Sequence, residues 1–331
     1  MRLKKVSRED LIVRRVRKGR GHAYLDPEGR PWPAGELRDR ALHLGIPPAW
    51  TEVRIAVEPN AHIQACGLDA AGRVQYIYHA DWEAKRTQKK AKQLMLLSAA
   101  LGRIRRRVNQ DLEAEAGERT LALAIGVALI DRTAMRVGRE RYLDAHGTRG
   151  AGTLFTRDVS IKDDKLTVSF PAKSGKAASY TLTDAKLSAA IARVKTIPGK
   201  RLLMYRDEEG TARPVRTEDI NRYLRSISGV AVTAKDFRTL HASALAAEAL
   251  AKIEPGTSKA ARNRQITAVS RSVAAFLRNT PSIARKSYIA PCLFMLFETA
   301  KLTDLWAANC PPHDGIRVRE ARLGLVLAAA A

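Results

Sequence analysis

From residue 119 to residue 131 the chain is apolar around most of the circumference of any helix it could form. Such a helix needs a coat of other elements, and it is too short to cross a bilayer. The stretch therefore predicts the central helix of a globular, mainly helical region. Candidates for the coat follow from the same periodicity. Leu97, Leu101, Ile104 and Val108 recur at three and four residues and mark one buried face, with the run from Arg103 to Arg107 projecting largely away from it. Ile266, Val269, Val273 and Phe276 mark another. Thr233 and Asp236 have the spacing of a capping box, which puts Arg238 in the early turns of a helix continuing toward Ile253. Asn279, Thr280 and Pro281 read as a helix break and restart, with Thr280 as N-cap and Pro281 at the first helical position. Tyr288 then falls about two turns into the new helix.

Extended runs interrupt and precede the helices. Alternation at Leu166, Val168 and Phe170, a ProAlaLysSerGlyLys loop and a second run around Tyr180 to Thr183 predict a β-hairpin. From about Ser7 to Trp82 short extended runs alternate with turns such as AspProGluGly at 26–29 and AspAlaAlaGly at 69–72. A basic stretch at Lys85, Arg86, Lys89, Lys90 and Lys92 then leads into helical periodicity. With 331 residues available, the expected class is α+β in two domains. These are a small strand-rich domain over 1–88 and a mainly helical domain with a small hairpin or sheet over 89–331.

The net charge of +24 favours a polyanionic partner. An anionic membrane surface could use the same charge, but no long uncharged apolar stretch or signal-peptide pattern argues for insertion or export. The expected place is the cytoplasm, on the nucleoid. Cys66, Cys292 and Cys310 are far apart and lack a CxxC pair, as expected of reduced thiols. Histidines form no HExxH or CxxC…HxxxH arrangement, and no phosphate-cradling glycine loop is present, so neither a metal nor a nucleotide cofactor is expected.

Four segments carry candidate chemistry: ArgValGlyArgGluArgTyr at 136–142, PheProAlaLysSerGlyLys at 170–176, LysAspPheArgThr at 235–239, and AsnThrProSerIleAlaArgLysSerTyr at 279–288. Taken singly, each fits a solvated basic face or a core tyrosine. In order and spacing together they resemble the active site of type IB topoisomerases, where Arg, Lys, Arg, His and Tyr follow one another along the chain. The N-terminal segments LeuGlyIleProProAlaTrp at 44–50, HisIleGlnAla at 62–65 and AspAlaAlaGlyArgValGlnTyrIleTyrHis at 69–79 are similar to the bacterial, poxvirus-like branch. The resemblance covers roughly residues 7–292. It implies a DNA-clamping first domain, a catalytic domain related to that of the tyrosine recombinases, and a monomeric clamp around double-stranded DNA.

The resemblance assigns Tyr288 as nucleophile, Arg136 and Arg238 as phosphate clamps and Lys173 as general acid, with Lys176 as its near competitor. Asn279 stands where many relatives have His, Ala172 where Gly commonly precedes the lysine, and Asp158 where a His often follows the ThrLeu-containing strand. For DNA contact it points to Arg139 and Tyr142, which a helix running on from Arg136 could present toward one groove, and to Gln75, Tyr76 and Tyr78. Period-two alternation puts Tyr76 and Tyr78 on one side of a strand and Gln75 on the other.

The chemistry suits these residue types. Forked guanidiniums grip anionic phosphate oxygens in a way an ammonium cannot. A phenol needs a cationic setting to become a nucleophile, and a departing 5′ alkoxide needs a proton, which a lysine of depressed pKa can supply. Asn279 can donate an amide hydrogen to a nonbridging oxygen. Two other readings remain: a tyrosine recombinase, although Lys235 stands where its HxxR motif has His, and a non-enzymatic DNA-packaging protein, which the charge alone allows.

Overall fold

The structure is a computed structural model and describes residues 2–19, 21–172, 175, 177–309 and 318–330. The chain divides into two compact units, Met1–Lys89 and Lys90–Ala331. The class is α+β, with the large sheet in the first unit and most helices in the second.

In the first unit, strands β1 (Val13–Lys18), β2 (Gly21–Leu25), β3 (Thr51–Ile55), β4 (Ile63–Leu68) and β5 (Val74–Tyr78) form an antiparallel sheet in the order β2-β1-β3-β4-β5. Helix α1 (Glu36–His43), which the sequence pattern did not suggest, lies between β2 and β3 in the chain. Ala41 is its one buried residue, and Leu37 packs on the core of Val13, Tyr24, Val53 and Ile55. Both expected turns form. Gly29 donates to Asp26 O and Gly72 to Asp69 O, and each Asp carboxylate also accepts from the backbone N–H of the Arg four residues on. Both glycines have φ in the left-handed region, at +85° and +70°.

The second unit continues helix α2 (Ala80–Asp111), within which the division falls, and adds α3 (Arg119–Thr133) and α4 (Glu140–His146). Strands β6 (Val159–Lys162), β7 (Lys165–Pro171) and β8 (Ala177–Thr183) make a three-stranded sheet, so the expected hairpin has a third strand on the β7 edge. Then come α5 (Ala185–Val194), the short ribbon β9 (Met204–Arg206) and β10 (Ala212–Pro214), α6 (Thr217–Ser228), α7 (Ala234–Ala251) and α8 (Lys259–Leu277). The single turn α9 (Pro281–Ile283) runs into a π-helical turn, Ala284–Tyr288. Helices α10 (Pro291–Glu298), α11 (Lys301–Ala308) and α12 (Val318–Ala329) complete the described chain.

Helix α3 is buried from Leu121 to Asp131, wrapped by α5, α6, α7 and β9 as its all-round apolar surface requires. A second central helix, α7, is buried from Phe237 through Ala244 and is flanked by α8, α10, α11 and α12. The run from Arg103 to Arg107 departs from the expectation of outward projection. Arg105 turns in to pair with buried Asp131 at 2.9 Å, and Arg103 donates to Ser228 O. A buried carboxylate with no countercharge would cost several kcal/mol, roughly, and this overrides the surface preference of arginine.

Candidate active site

Arg136 lies just past the C-terminal end of α3. Ala134 closes that helix in the left-handed conformation, and Thr133 Oγ1 accepts from Met135 N at 3.1 Å, which turns the chain away from the helix axis. The next residues are not helical. Gly138 has φ +83°, and α4 begins only at Glu140, with Arg139 as its N-cap. The expectation that one helix carries Arg136, Arg139 and Tyr142 is therefore corrected. Arg139 and Tyr142 are both exposed, and the Arg141 guanidinium covers the Tyr142 ring at 4.7 Å.

The Arg136 turn is held by a close crossing with the segment at 150–152. Ala151 N donates to Arg136 O at 2.9 Å and Gly152 N to Val137 O at 2.6 Å. A Cβ on Gly150 would lie 2.3 Å from Arg136 O and 2.5 Å from Gly138 N, and both contacts are with backbone that has no side chain to swing away. Gly150→Ala is expected to destabilise the second unit by about 3 kcal/mol or more, the upper range for overpacking. The measurement is the denaturant midpoint of the full chain followed by a probe in that unit. An unchanged midpoint would show that the crossing is looser than the geometry says.

Arg238, on the second turn of α7, is 3% exposed. The capping carboxylate of Asp236 accepts from Thr233 N and Oγ1, each at 2.8 Å, as the spacing predicted. Arg238 Nη1 donates to Ala134 O, and Nη2 donates to Leu277 O at 2.9 Å. The guanidinium is thus fixed between the end of α3 and the end of α8, with Nε left without a partner among the described residues. Its carbon lies 5.1 Å from the centre of the Tyr288 ring. Burial pushes the guanidinium below its usual value and Arg136 pushes it further, while Tyr288 acts the other way.

Tyr288 is the last residue of the π turn rather than a mid-helix residue, although Thr280 and Pro281 start the segment as expected, with Thr280 Oγ1 accepting from Ile283 N. The wider turn is locked by two side chains to which the sequence reading gave no part in the site. Ser243 Oγ, from α7, donates to Tyr288 O at 3.1 Å and accepts from Ala290 N at 3.0 Å. Lys90 Nζ donates to Ser287 O at 2.9 Å and to Ile289 O at 3.3 Å. Burial alone would raise the phenol's pKa. The charge and hydrogen bond of Arg238 and the charges of Arg136 and Lys235 outweigh it and leave the pKa below that of an ordinary tyrosine.

Asn279 joins the first arginine to this group. Its Oδ1 accepts from Arg136 Nη2, and this fixes the amide so that Nδ2, buried and without a partner among the described residues, is the donor left over. Arg278, beside it, donates to Ser179 O and covers the Tyr180 ring at 4.7 Å, tying β8 to the same corner. Arg136, Arg238, Asn279 and Tyr288 are therefore brought together. Lys173 and Lys176 lie outside the described residues. Asp158 is buried in an ion pair with Arg149 at 2.7 Å and accepts from Phe155 N at 2.7 Å, which gives it a structural part in shaping the turn before β6.

In the first unit, Tyr76 and Tyr78 stack on one side of β5 at 5.9 Å, and the Arg86 guanidinium sits 5.1 Å from the Tyr78 ring. Gln75 donates to Asp69 Oδ2 at 2.8 Å and so braces the preceding turn. Among the described residues no helix is long and apolar enough to cross a membrane, and no cluster of His, Cys, Asp and Glu could hold a metal ion.

A deeply buried arginine set against a tyrosine and a second arginine held by an amide, in an α+β chain with a separate strand-rich unit, define the cationic, tyrosine-bearing class of site. Comparison with known proteins gives the family. The catalytic core of "Eukaryotic DNA topoisomerase I" matches residues 79–292, and the "Bacterial DNA topoisomerase IB, N-terminal domain" matches residues 21–69. The chain belongs to the type IB DNA topoisomerase family, whose members are DNA-binding isomerases. It is similar to "DNA topoisomerase 1B" of Acanthamoeba polyphaga mimivirus, at 29% identity over 269 residues, covering 78% of this chain and 80% of that protein.

Proposed function

We propose that this enzyme relaxes both positive and negative supercoils by transient cleavage of one DNA strand. Tyr288 Oη attacks the phosphorus and loses its proton to water. The 5′ oxygen leaves with a proton from Lys173, and a 3′-phosphotyrosyl link holds the broken end. The free strand turns about its partner, and the 5′ hydroxyl then attacks the link and restores both the phosphodiester and the tyrosine. One bond of the same kind forms for each that breaks, so the cycle needs no nucleotide.

The observation that carries this reading is the Tyr288 phenol set against the fixed Arg238 guanidinium, with the Arg136–Asn279 pair beside it. The arginines are held before substrate arrives, so little reorganisation is needed when charge develops on the phosphate oxygens. The spare Asn279 amide hydrogens supply a neutral donor where a histidine would supply a charged one. Arg139 and Tyr142, both exposed, and the Tyr76–Tyr78 face are proposed to touch DNA. Gln75 supports that face through Asp69. The first unit, ending near residue 88, acts as a clamp domain, the catalytic domain is kin to that of the tyrosine recombinases, and one copy of the chain suffices.

The test is a supercoiled plasmid incubated with the protein in EDTA and without ATP. A ladder of relaxed topoisomers from either sign of supercoil is expected. A strict need for a divalent metal would overturn the mechanism. Recombination at paired sites would point to a recombinase, and an unchanged linking number after the protein is stripped off would point to a packaging protein.

A further inference from the structure

One turn beyond Arg238 on α7, His241 is 3% exposed and lies between two carboxylates. Its Nδ1 is 2.8 Å from Glu320 Oε1 and its Nε2 is 3.2 Å from Asp131 Oδ1. Nδ1 meets Glu320 in hydrogen-bonding geometry and Nε2 faces Asp131 at ion-pair distance, and two carboxylates flanking one ring favour the imidazolium over the neutral forms. The charged groups around the ring are Asp131 from α3, Arg105 from α2, which donates to Asp131 at 2.9 and 3.1 Å, and Glu320 and Arg319 from α12. Arg319 also lies 3.7 Å from Glu248 on α7.

The cluster is built into the support of the candidate active site. Asp131 is three residues before Ala134, whose carbonyl holds Arg238, and His241 is three residues after Arg238. Helices α3 and α7 are thus joined by two rungs one turn apart, Ala134–Arg238 and Asp131–His241. Helix α12 completes the second rung from outside residues 79–292, the span matched by the catalytic core of the family. It is seated closely. Leu323, Val326 and Leu327 are buried, Ser98 Oγ donates to Glu320 O at 2.7 Å, and a Cβ on Gly324 would lie 2.2 Å from Ser98 Oγ.

We propose that Glu320 and His241 are positioning residues for strand cleavage: α12 clasps α7 through the imidazolium, and the clasp keeps Arg238 aimed at Tyr288. The proposal rests on the reading of Tyr288 as nucleophile. Burial alone would lower the pKa of His241, but Asp131 and Glu320 outweigh it and hold the group above its ordinary value. The imidazolium's contribution is therefore present in full below the ordinary histidine pKa and is lost as pH rises through the raised one. Glu320→Gln keeps the shape of the contact and removes one anion. The ring then gives up its proton at lower pH, and the rung loosens there.

Relaxation of supercoiled plasmid by excess enzyme, timed across the neutral to alkaline range, reads this out. Glu320→Gln is expected to match the parent in mild acid and to fall about tenfold behind in alkali, with noncovalent DNA affinity unchanged. Glu320→Asp, which keeps the charge, is expected to follow the parent's profile. A ratio of variant to parent that is flat with pH, whether at unity or below it, overturns the clasp. A parent that relaxes nothing at any pH overturns the functional reading as well, so the two failures are distinct. Titration of the His241 ring by NMR in the intact chain is independent of any variant's folding: protonation persisting above neutral pH is expected, and a neutral ring at pH 7 overturns the proposal.

Discussion

Tyr288→Phe is expected to eliminate both the covalent protein–DNA adduct and supercoil relaxation, a loss of at least about 10⁴-fold on the scale of other deleted nucleophiles. Noncovalent DNA affinity should stay close to that of the parent. The structure makes this substitution unusually clean. The Arg238 guanidinium lies over the face of the ring, and a phenylalanine ring offers it much the same attraction. The backbone of the π turn is held by Ser243 and Lys90 through carbonyl and amide groups, none of which belongs to the tyrosine side chain. Arg238 keeps its anchors at Ala134 and Leu277. What disappears is the oxygen and, with it, the group whose ionisation the two arginines and Lys235 favour. The measurement is trapping of the adduct with denaturant, followed by digestion and mass mapping of the linked peptide in the parent. An adduct on Tyr142 or Tyr180 would overturn the assignment, as would persisting relaxation by the Phe variant.

The features legible in the sequence are those set by short-range rules. Helix α3 announces itself because no surface helix is apolar on every side, and the Thr233–Asp236 cap and Thr280–Pro281 start depend on neighbours within one turn. The two Asp-x-x-Gly turns are equally local. What the sequence hides depends on partners far along the chain. Arg105 looks like a solvated basic residue until Asp131, 26 residues on, is seen to be buried on the neighbouring helix and paired with it. Ser243 is a small polar residue inside a run of alanines, a signal that exists but does not say which backbone it will grip. The expected helix through Arg136 and Tyr142 fails at Gly138, whose φ and tight contact with Gly150 commit the chain to a crossing. The π turn ends at Tyr288 under the pull of contacts from α2 and α7, which no local propensity encodes.

Lys173→Ala is the second large effect expected, a slowing of strand cleavage by about 10²- to 10⁴-fold, the usual worth of a positioned general acid. Lys173 lies between β7, which ends at Pro171, and β8, which begins at Ala177. Strand β8 is tied to the active-site corner by Arg278, which donates to Ser179 O and covers Tyr180, while the adjacent Asn279 holds Arg136. Strand β8, which follows the loop, thus shares a corner with the Arg136–Asn279 pair. Acid catalysis can be separated from phosphate binding by changing the leaving group. With sulfur in place of the bridging 5′ oxygen, a thiolate departs without prior protonation, and Lys173→Ala should approach the parent's cleavage rate. Arg136→Ala should recover far less on the same substrate, because charge on the nonbridging oxygens still needs its guanidinium. Lys176→Ala is the comparison within the loop. Sulfur rescue of Lys176→Ala alone would move the acid to that residue, and rescue of neither lysine variant would remove lysine from the proton transfer altogether.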